Sequence, residues 1–223
     1  MGDTIQLNTT GTQCIGAYVA KPQGAPKGGI VVVQEIFGVN RHMRDVTDRF
    51  AAHGYVAIAP AFFDHVETGV ELGYDDAGMK RGRALVGELS FEQAIADVAS
   101  AAESIRSAGR IGCVGYCWGG TVAYLAATRL AMPSVSYYGA RNVKFLDEEP
   151  KAPVQFHFGE KDPSIPAEAI ARHREAMPDA EIYTYPTGHA FDRSVDPHVH
   201  DAASAKLALE RTLAFFDRTL GGA

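Results

Sequence analysis

Three residues of this sequence have the types and the order needed for nucleophilic catalysis: Cys117, Asp162 and His189. A cysteine attacks a carbonyl carbon as a thiolate, and a histidine exchanges a proton with the attacking or leaving group. An aspartate fixes the imidazole tautomer and stabilises the imidazolium ion. Each residue alone also has an ordinary structural explanation, as a buried turn cysteine, a turn aspartate or a loop histidine. The hypothesis therefore depends on the elements that would bring the three side chains together.

Cys117 lies in a Gly-Tyr-Cys-Trp-Gly sequence between an apolar, strand-like run at 111–116 and an alanine-rich, helix-like run at 121–130. The glycines on either side allow a sharp strand-to-helix turn that pushes the middle side chain into a cleft. The helix N-terminus behind that side chain favours negative charge. We expect the backbone amides of Trp118 and Ile36 to hold an oxyanion formed there.

Asp162 and His189 each follow a strand-like run. Asp162 comes shortly after the run at 154–159, and His189 comes shortly after the run at 181–185. Because the functional groups of open α/β sheets gather at the carboxyl ends of the strands, these two loops can meet the turn at Cys117. The chain order of nucleophile, acid and histidine is also that of α/β hydrolases. The sequence therefore predicts a Cys117-His189-Asp162 triad.

The whole chain alternates strand-like and helix-like segments, which predicts parallel strands joined by right-handed crossovers. Besides the strands already named, strands are predicted at 4–7, 13–20, 29–34, 55–59 and 134–138, with a turn at 8–11. Helices are predicted at 41–53, 90–108, 166–177 and 202–220. The segment 61–87 is predicted to be a loop with a short helix. We expect an α/β-hydrolase fold in a single domain, 1–223: a doubly wound, mostly parallel sheet of about seven or eight strands with helices on both faces.

Composition narrows the function classes. The 223 residues are 46% hydrophobic and 22% charged, as in globular proteins, and the net charge of −6 argues against nucleic acid or an anionic membrane as a partner. The sequence has no long apolar run and no signal-like start, so we expect a cytoplasmic protein, and we expect a monomer. Cys14 and Cys113 are interpreted as buried small hydrophobes, and His198 and His200 lack a third metal ligand. We therefore expect no metal and no cofactor.

Four motifs carry a family resemblance. They are Val-Val-Val-Gln-Glu-Ile-Phe-Gly at 31–38, Gly-Tyr-Cys-Trp-Gly-Gly at 115–120, Gly-Glu-Lys-Asp at 159–162 and Gly-His-Ala-Phe at 188–191. Through them the chain resembles the dienelactone hydrolases, or carboxymethylenebutenolidases, over nearly its whole length. The resemblance implies a Cys-His-Asp enzyme that opens an unsaturated, carboxylate-bearing lactone in the catabolism of chlorinated aromatic compounds.

The resemblance also implies roles for residues outside the triad. A glutamate at the position of Glu35 interacts with the resting thiol and helps to form the thiolate when substrate binds, because a nearby carboxylate opposes ionisation until it moves or finds a cation. Arginines hold the substrate carboxylate, since a guanidinium can grip it with two hydrogen bonds. Arg193 matches one of these positions. Arg81 and Arg83 compete for the other, and Arg81 is preferred.

Phe37 and Tyr138 are expected to line the substrate pocket, although either could be a core aromatic residue. Two other functions stay open at this point. One is a hydrolase of other small lactones or esters on the same triad. The other is a non-catalytic protein of this fold that uses Cys117 as a redox-reactive thiol or the pocket as a binding site. The presence of both Asp162 and His189 favours catalysis, because neither of those non-catalytic uses needs a complete triad.

Overall fold

The structure is a computed structural model, and it describes residues 2–9 and 14–221. Its strands are β1 (Asp3–Asn8), β2 (Cys14–Ala20), β3 (Gly29–Val33), β4 (Val56–Pro60), β5 (Ile111–Tyr116), β6 (Ser134–Tyr137), β7 (Val154–Gly159) and β8 (Glu181–Tyr185). Its α-helices are α1 (Arg41–Ala52), α2 (Asp76–Glu88), α3 (Phe91–Ser104), α4 (Trp118–Arg129), α5 (Ala167–Ala176) and α6 (Ala202–Leu220).

The eight strands form one sheet in the order β1-β2-β4-β3-β5-β6-β7-β8. β2 runs antiparallel to both β1 and β4, and every other neighbouring pair is parallel. β5 therefore lies between β3 and β6, near the middle of the sheet. Because the parallel strands share one direction, the loops that follow β3, β5, β6, β7 and β8 emerge along the same edge.

Helices cover both faces of the sheet, which explains why the central strands are continuously apolar. Successive side chains of β3 alternate between the two faces: Val32 packs in a cluster with Phe50 of α1, and Val33 packs in a second cluster with Val98 of α3 and Val122 of α4. All five residues of β3 are buried. The predicted fold, a mostly parallel α/β-hydrolase sheet with helices on both faces, is confirmed.

The element boundaries agree with the sequence patterns within a few residues, with one larger difference. The segment 61–87, predicted as a loop with a short helix, contains a 13-residue helix, α2, that begins at the Asp75 cap, whose side chain accepts a hydrogen bond from Gly78 N. Two glycines hide its periodicity because they replace apolar residues on the packed face. A Cβ at Gly82 would come within 2.0 Å of the Ile36 carbonyl oxygen, so α2 lies directly on the loop after β3.

Two smaller points concern the N-terminal strands. The predicted turn at 8–11 lies partly outside the described residues, and so does residue 13, the first of the second predicted strand. Cys14, expected to be buried, is exposed, and its thiol donates to Asn8 Oδ1 at 3.0 Å across the edge pair of strands. Within the described ranges, no helix is both long enough and apolar enough to cross a membrane.

Candidate active site

Cys117 occupies a strained turn between β5 and α4. Its backbone has φ 57° and ψ −114°, a conformation that non-glycine residues adopt only where the surroundings enforce it. A Cβ at Gly115 would meet the Gly119 carbonyl oxygen at 1.8 Å, and one at Gly119 would meet the Gln34 carbonyl oxygen at 2.4 Å. Both glycines are therefore required for the close approach of strand and helix. The turn presents the partly buried Cys117 side chain at the N-terminus of α4, where exposed amide groups favour negative charge.

His189 and Asp162 meet because the loops after β7 and β8 are joined by backbone hydrogen bonds, among them Lys161 N to Thr187 O at 2.9 Å. The His189 Nδ1 to Asp162 Oδ2 distance is 2.6 Å. The other Asp162 oxygen accepts from Ser164 N at 2.8 Å, so both oxygens of this buried carboxylate are used. This arrangement fixes the orientation of the imidazole ring and leaves its second nitrogen for Cys117.

The electrostatics of His189 couple it to Cys117. Burial by itself lowers the pKa of His189, but an electrostatic interaction with Cys117 and hydrogen bonds with Asp162 and Cys117 outweigh that effect. The net result raises the pKa of His189 from its ordinary value of 6.5 to about 10. The ring is therefore held as an imidazolium ion near neutral pH, the partner that stabilises a cysteine thiolate.

A cleft of about 230 Å³ opens over Cys117. It is lined by Ile36, Phe37, Met79, Arg83, Cys117, Trp118, Ala140, Arg141, Ser164, His189 and Arg193. Ile36 lies in the loop after β3, and Trp118 is the first residue of α4. These two segments come close together at Gly119, where α4 contacts the end of β3. The two residues expected to hold an oxyanion thus both border the cleft beside Cys117.

Glu35 is buried and is bound by Arg193, which lines the cleft. Arg193 Nε donates to one Glu35 carboxylate oxygen at 3.1 Å, and a terminal guanidinium nitrogen donates to the other at 2.9 Å. The interaction implied by the resemblance was a contact between Glu35 and Cys117. Within the described part of the chain, the hydrogen bonds of the Glu35 carboxylate instead go to Arg193, 158 residues away in the sequence.

Arg193 borders the cleft, but its charge is largely compensated. Besides Glu35, it contacts Asp196 at 3.3 Å, and its guanidinium stacks on the rings of Tyr74 and Phe37 at 4.2 and 5.0 Å from their centroids. Burial lowers the pKa of Arg193, but Glu35 more than offsets this and raises it above the ordinary value. Its expected contact with a substrate carboxylate stays a prediction, and the structure adds a second role: compensating the buried charge of Glu35.

The structure separates the two arginines of α2. Residues two positions apart on a helix lie about 200° apart around its axis, so Arg81 and Arg83 face different directions. Arg83 lines the cleft together with Met79, one turn earlier on the same face. Arg81 is directed to the opposite side, where it forms an exposed ion pair with Glu67. The preference for Arg81 is therefore corrected, and Arg83 is the cleft arginine of α2.

Comparisons with known proteins show the family of this chain. The profile of the dienelactone hydrolase family matches residues 15–220. The chain belongs to the dienelactone hydrolase family. It is 33% identical to a carboxymethylenebutenolidase of Pseudomonas putida over 95% of this chain and 94% of that protein. It is also 31% identical to carboxymethylenebutenolidase 1 of Cupriavidus pinatubonensis, with 96% and 95% covered.

The fold is shared with solved structures of the same family. A crystal structure from Klebsiella pneumoniae subsp. pneumoniae, described as a candidate dienelactone hydrolase, superposes with a TM-score of 0.87 at 30% identity. That superposition covers 98% of each chain. Family membership and fold together identify this protein as a hydrolase of the dienelactone hydrolase type.

The two aromatic residues expected in the pocket of this family member lie in different places. Phe37 borders the cleft, and its contact with substrate stays a prediction. Tyr138 is fully buried behind it, with its ring 4.9 Å from that of His189 and its backbone at φ 39°. Tyr138 therefore packs against the histidine from below, so the alternative of a core aromatic residue describes it better than that of a pocket wall.

Arg141 and Ser164 line the cleft and were not singled out from the sequence. Both follow strands at the edge where the loops gather, Arg141 after β6 and Ser164 after β7. The rule that led to Asp162 and His189 applies equally to them. Arg141 would have been found by asking which cationic side chains follow the predicted strand 134–138.

Proposed function

We propose that this protein opens a small, carboxylate-bearing unsaturated lactone by covalent catalysis at Cys117. His189 is the acid and base, and Asp162 orients its ring. The observation that carries the proposal is the joint geometry of the site: a strained elbow holds Cys117, and the buried Asp162 holds His189 at 2.6 Å. Family membership supports the same reaction class, since the curated relatives are carboxymethylenebutenolidases.

The reaction proceeds in two halves. The Cys117 thiolate attacks the lactone carbonyl carbon, and the oxyanion that forms accepts hydrogen bonds from the Ile36 and Trp118 amides. His189 then gives its proton to the ring oxygen as the carbon–oxygen bond breaks, which leaves a ring-opened thioester on Cys117. In the second half His189 takes a proton from water, and the hydroxide attacks the thioester. The adduct collapses to restore the thiolate and a carboxylic acid, which releases its proton to solvent and leaves as the carboxylate.

Glu35 influences this cycle through its charge. A carboxylate near the sulfur opposes formation of the thiolate, whereas a carboxylate bound by a cation does not. In the described structure Arg193 compensates Glu35 with two hydrogen bonds, and the raised pKa of His189 accompanies that state. We assign Glu35 a positioning and charge-balancing role in thiolate formation.

The shape and charge of the cleft support a small anionic substrate. Its volume of about 230 Å³ suits a single small ring with a short substituent. Among the residues that the structure describes, three arginines and no aspartate or glutamate border the cleft, although the whole chain has a net charge of −6. Arg83 is exposed and has no ion-pair partner among the described residues, so its charge is available to a substrate carboxylate.

The experiment that tests this proposal compares two steady-state rates, dienelactone ring opening followed by ultraviolet absorbance and cleavage of a neutral phenyl ester. We expect a much larger kcat/KM for the dienelactone. We also expect Arg83→Gln to lower kcat/KM for the dienelactone by about tenfold, with little change for the neutral ester, because one charge-assisted contact is lost.

Two outcomes would count against the proposal in different ways. Cleavage of the neutral ester with negligible turnover of the dienelactone would keep the Cys117 chemistry and reassign the substrate to other lactones or esters. Absence of any turnover, together with unchanged behaviour of Cys117→Ser and His189→Ala, would favour a non-catalytic use of the thiol or the pocket.

A further inference from the structure

The cleft contains two arginines whose charges are not already compensated, and they come from different walls. Among the described residues, neither Arg83 nor Arg141 has a carboxylate partner, whereas Arg193 is paired with Glu35 and Asp196. Both unpaired side chains are exposed and border the cleft that contains Cys117. Unpaired guanidinium groups at a cleft attract anionic ligand groups.

The sheet topology separates the two arginines. Arg83 lies on α2, whose Gly82 packs directly on the loop after β3. Arg141 follows β6. β5, which leads into Cys117, lies between β3 and β6. Because neighbouring strands are about 4.8 Å apart, the loops after β3 and β6 begin about 10 Å apart, on either side of the turn that carries Cys117.

We propose that Arg141 is a specificity-determining residue that binds a second anionic group of the substrate, on the opposite side of Cys117 from Arg83. The substrate class that fits is a dicarboxylate whose reacting ester or lactone carbonyl lies between its two charged ends. This inference rests on the proposed function for the identity of the reacting group. The binding preference itself does not depend on turnover.

Equilibrium binding of two six-carbon acids to the wild-type protein tests the inference directly. Adipate has a carboxylate at each end, and hexanoate has only one, so the pair differs in the second charge. We expect calorimetry to give an affinity for adipate at least tenfold higher than for hexanoate, because each charge-assisted contact of this kind contributes about a factor of ten. The difference should shrink as the salt concentration rises.

Three matched substitutions assign the contacts. Arg141→Gln should lower the affinity for adipate about tenfold and leave that for hexanoate within about twofold, because only the second carboxylate loses its partner. Arg83→Gln should weaken both acids. Arg110→Gln is the control, since Arg110 is also exposed but precedes β5 at the far edge of the sheet. It removes the same charge and should change neither affinity.

Equal affinities for adipate and hexanoate in the wild-type protein would overturn the inference. So would an Arg141→Gln protein that keeps the full preference for adipate with an unchanged melting temperature. A dicarboxylate preference in a protein that cleaves no lactone or ester would refute the proposed function and keep the binding site. Lactone cleavage without that preference would refute the binding site and keep the proposed function.

Discussion

Among the described residues, two histidines each contact a buried aspartate through a ring nitrogen, and one of these two pairs lies beside a candidate nucleophile. In the cleft, His189 Nδ1 lies 2.6 Å from Asp162, and 26% of the His189 side chain is exposed. In the turn that follows β4, His65 Nε2 lies 2.9 and 3.0 Å from the two oxygens of Asp97, and 13% of its side chain is exposed. By contact distance and burial the two pairs are similar.

The surroundings of the pairs differ. Asp162 divides its oxygens between His189 and the Ser164 amide, which leaves the far side of the ring to Cys117. Both Asp97 oxygens contact His65, and Gln93 also donates a hydrogen bond to Asp97 at 3.1 Å. These three side chains connect α3 to the short 3-10 turn at Phe62–His65. The proposed chemistry therefore depends on the strained turn that presents Cys117, whereas the His65–Asp97 pair connects two structural elements.

The largest expected effect comes from removing the nucleophile. Cys117→Ala should lower kcat/KM for the best lactone or ester by about 10³-fold or more, because the covalent route is lost. Steady-state assays measure this directly. Cys14→Ala is the matched control: Cys14 is exposed on β2, away from the cleft, and its removal should leave activity unchanged. Equal loss in both variants would contradict the assignment.

The same substitution at the two aspartates separates catalysis from stability. Asp162→Asn should lower kcat by about 10²- to 10⁴-fold, because the amide no longer favours the imidazolium ion or the required tautomer. Asp97→Asn should leave kcat close to that of the wild type and reduce the free energy of unfolding by about 1–3 kcal/mol, the cost of impairing a buried hydrogen-bonded group. Kinetics and urea unfolding of both variants provide the measurements. A similar fall in kcat for both variants would remove the distinction between the pairs.

A titration of the histidine rings by NMR tests the coupling of His189 to Cys117. The effect expected here is smaller than those of the preceding substitutions. The pKa of His189 is raised to about 10, so its ring should stay protonated through neutral pH. Cys117→Ser removes the sulfur whose interaction with the ring raises this pKa, so the His189 pKa should fall. His157 is the internal control, because burial and a smaller contribution from Arg211 lower its pKa to about 3 without any contribution from Cys117. An unchanged His189 titration in Cys117→Ser would contradict the ion pair.

Much of the fold and the triad positions could be predicted from sequence, because both depend on local patterns. Apolar runs gave the strands, and the carboxyl ends of those runs led to Cys117, Asp162 and His189. The strand-to-helix turn at Cys117 can be recognised in the sequence because its geometry requires glycine at 115 and 119, where any Cβ would overlap backbone atoms.

The interactions that the sequence did not predict depend on distant residues or on helix rotation. The Glu35–Arg193 pair joins residues 158 positions apart, and no local pattern reports such a contact. Whether Arg81 or Arg83 reaches the cleft depends on which face of α2 packs against the protein. Two positions of that packed face are glycines, so the sequence lacks the apolar periodicity that would have shown which face is buried. The prediction that Cys14 is buried is wrong, because burial at this end of the sheet depends on how the neighbouring strand covers the residue.

The most direct test of the central claim is to identify the atom that carries the acyl group during turnover. The wild-type protein is mixed with a neutral phenyl acetate ester, quenched with acid within the first turnover, and analysed by intact mass and peptide mapping. The account predicts one added acetyl group, located on Cys117 and absent from Cys117→Ala. An acetyl group on Ser164, or phenol release with no acylated protein in the first turnover, would contradict it.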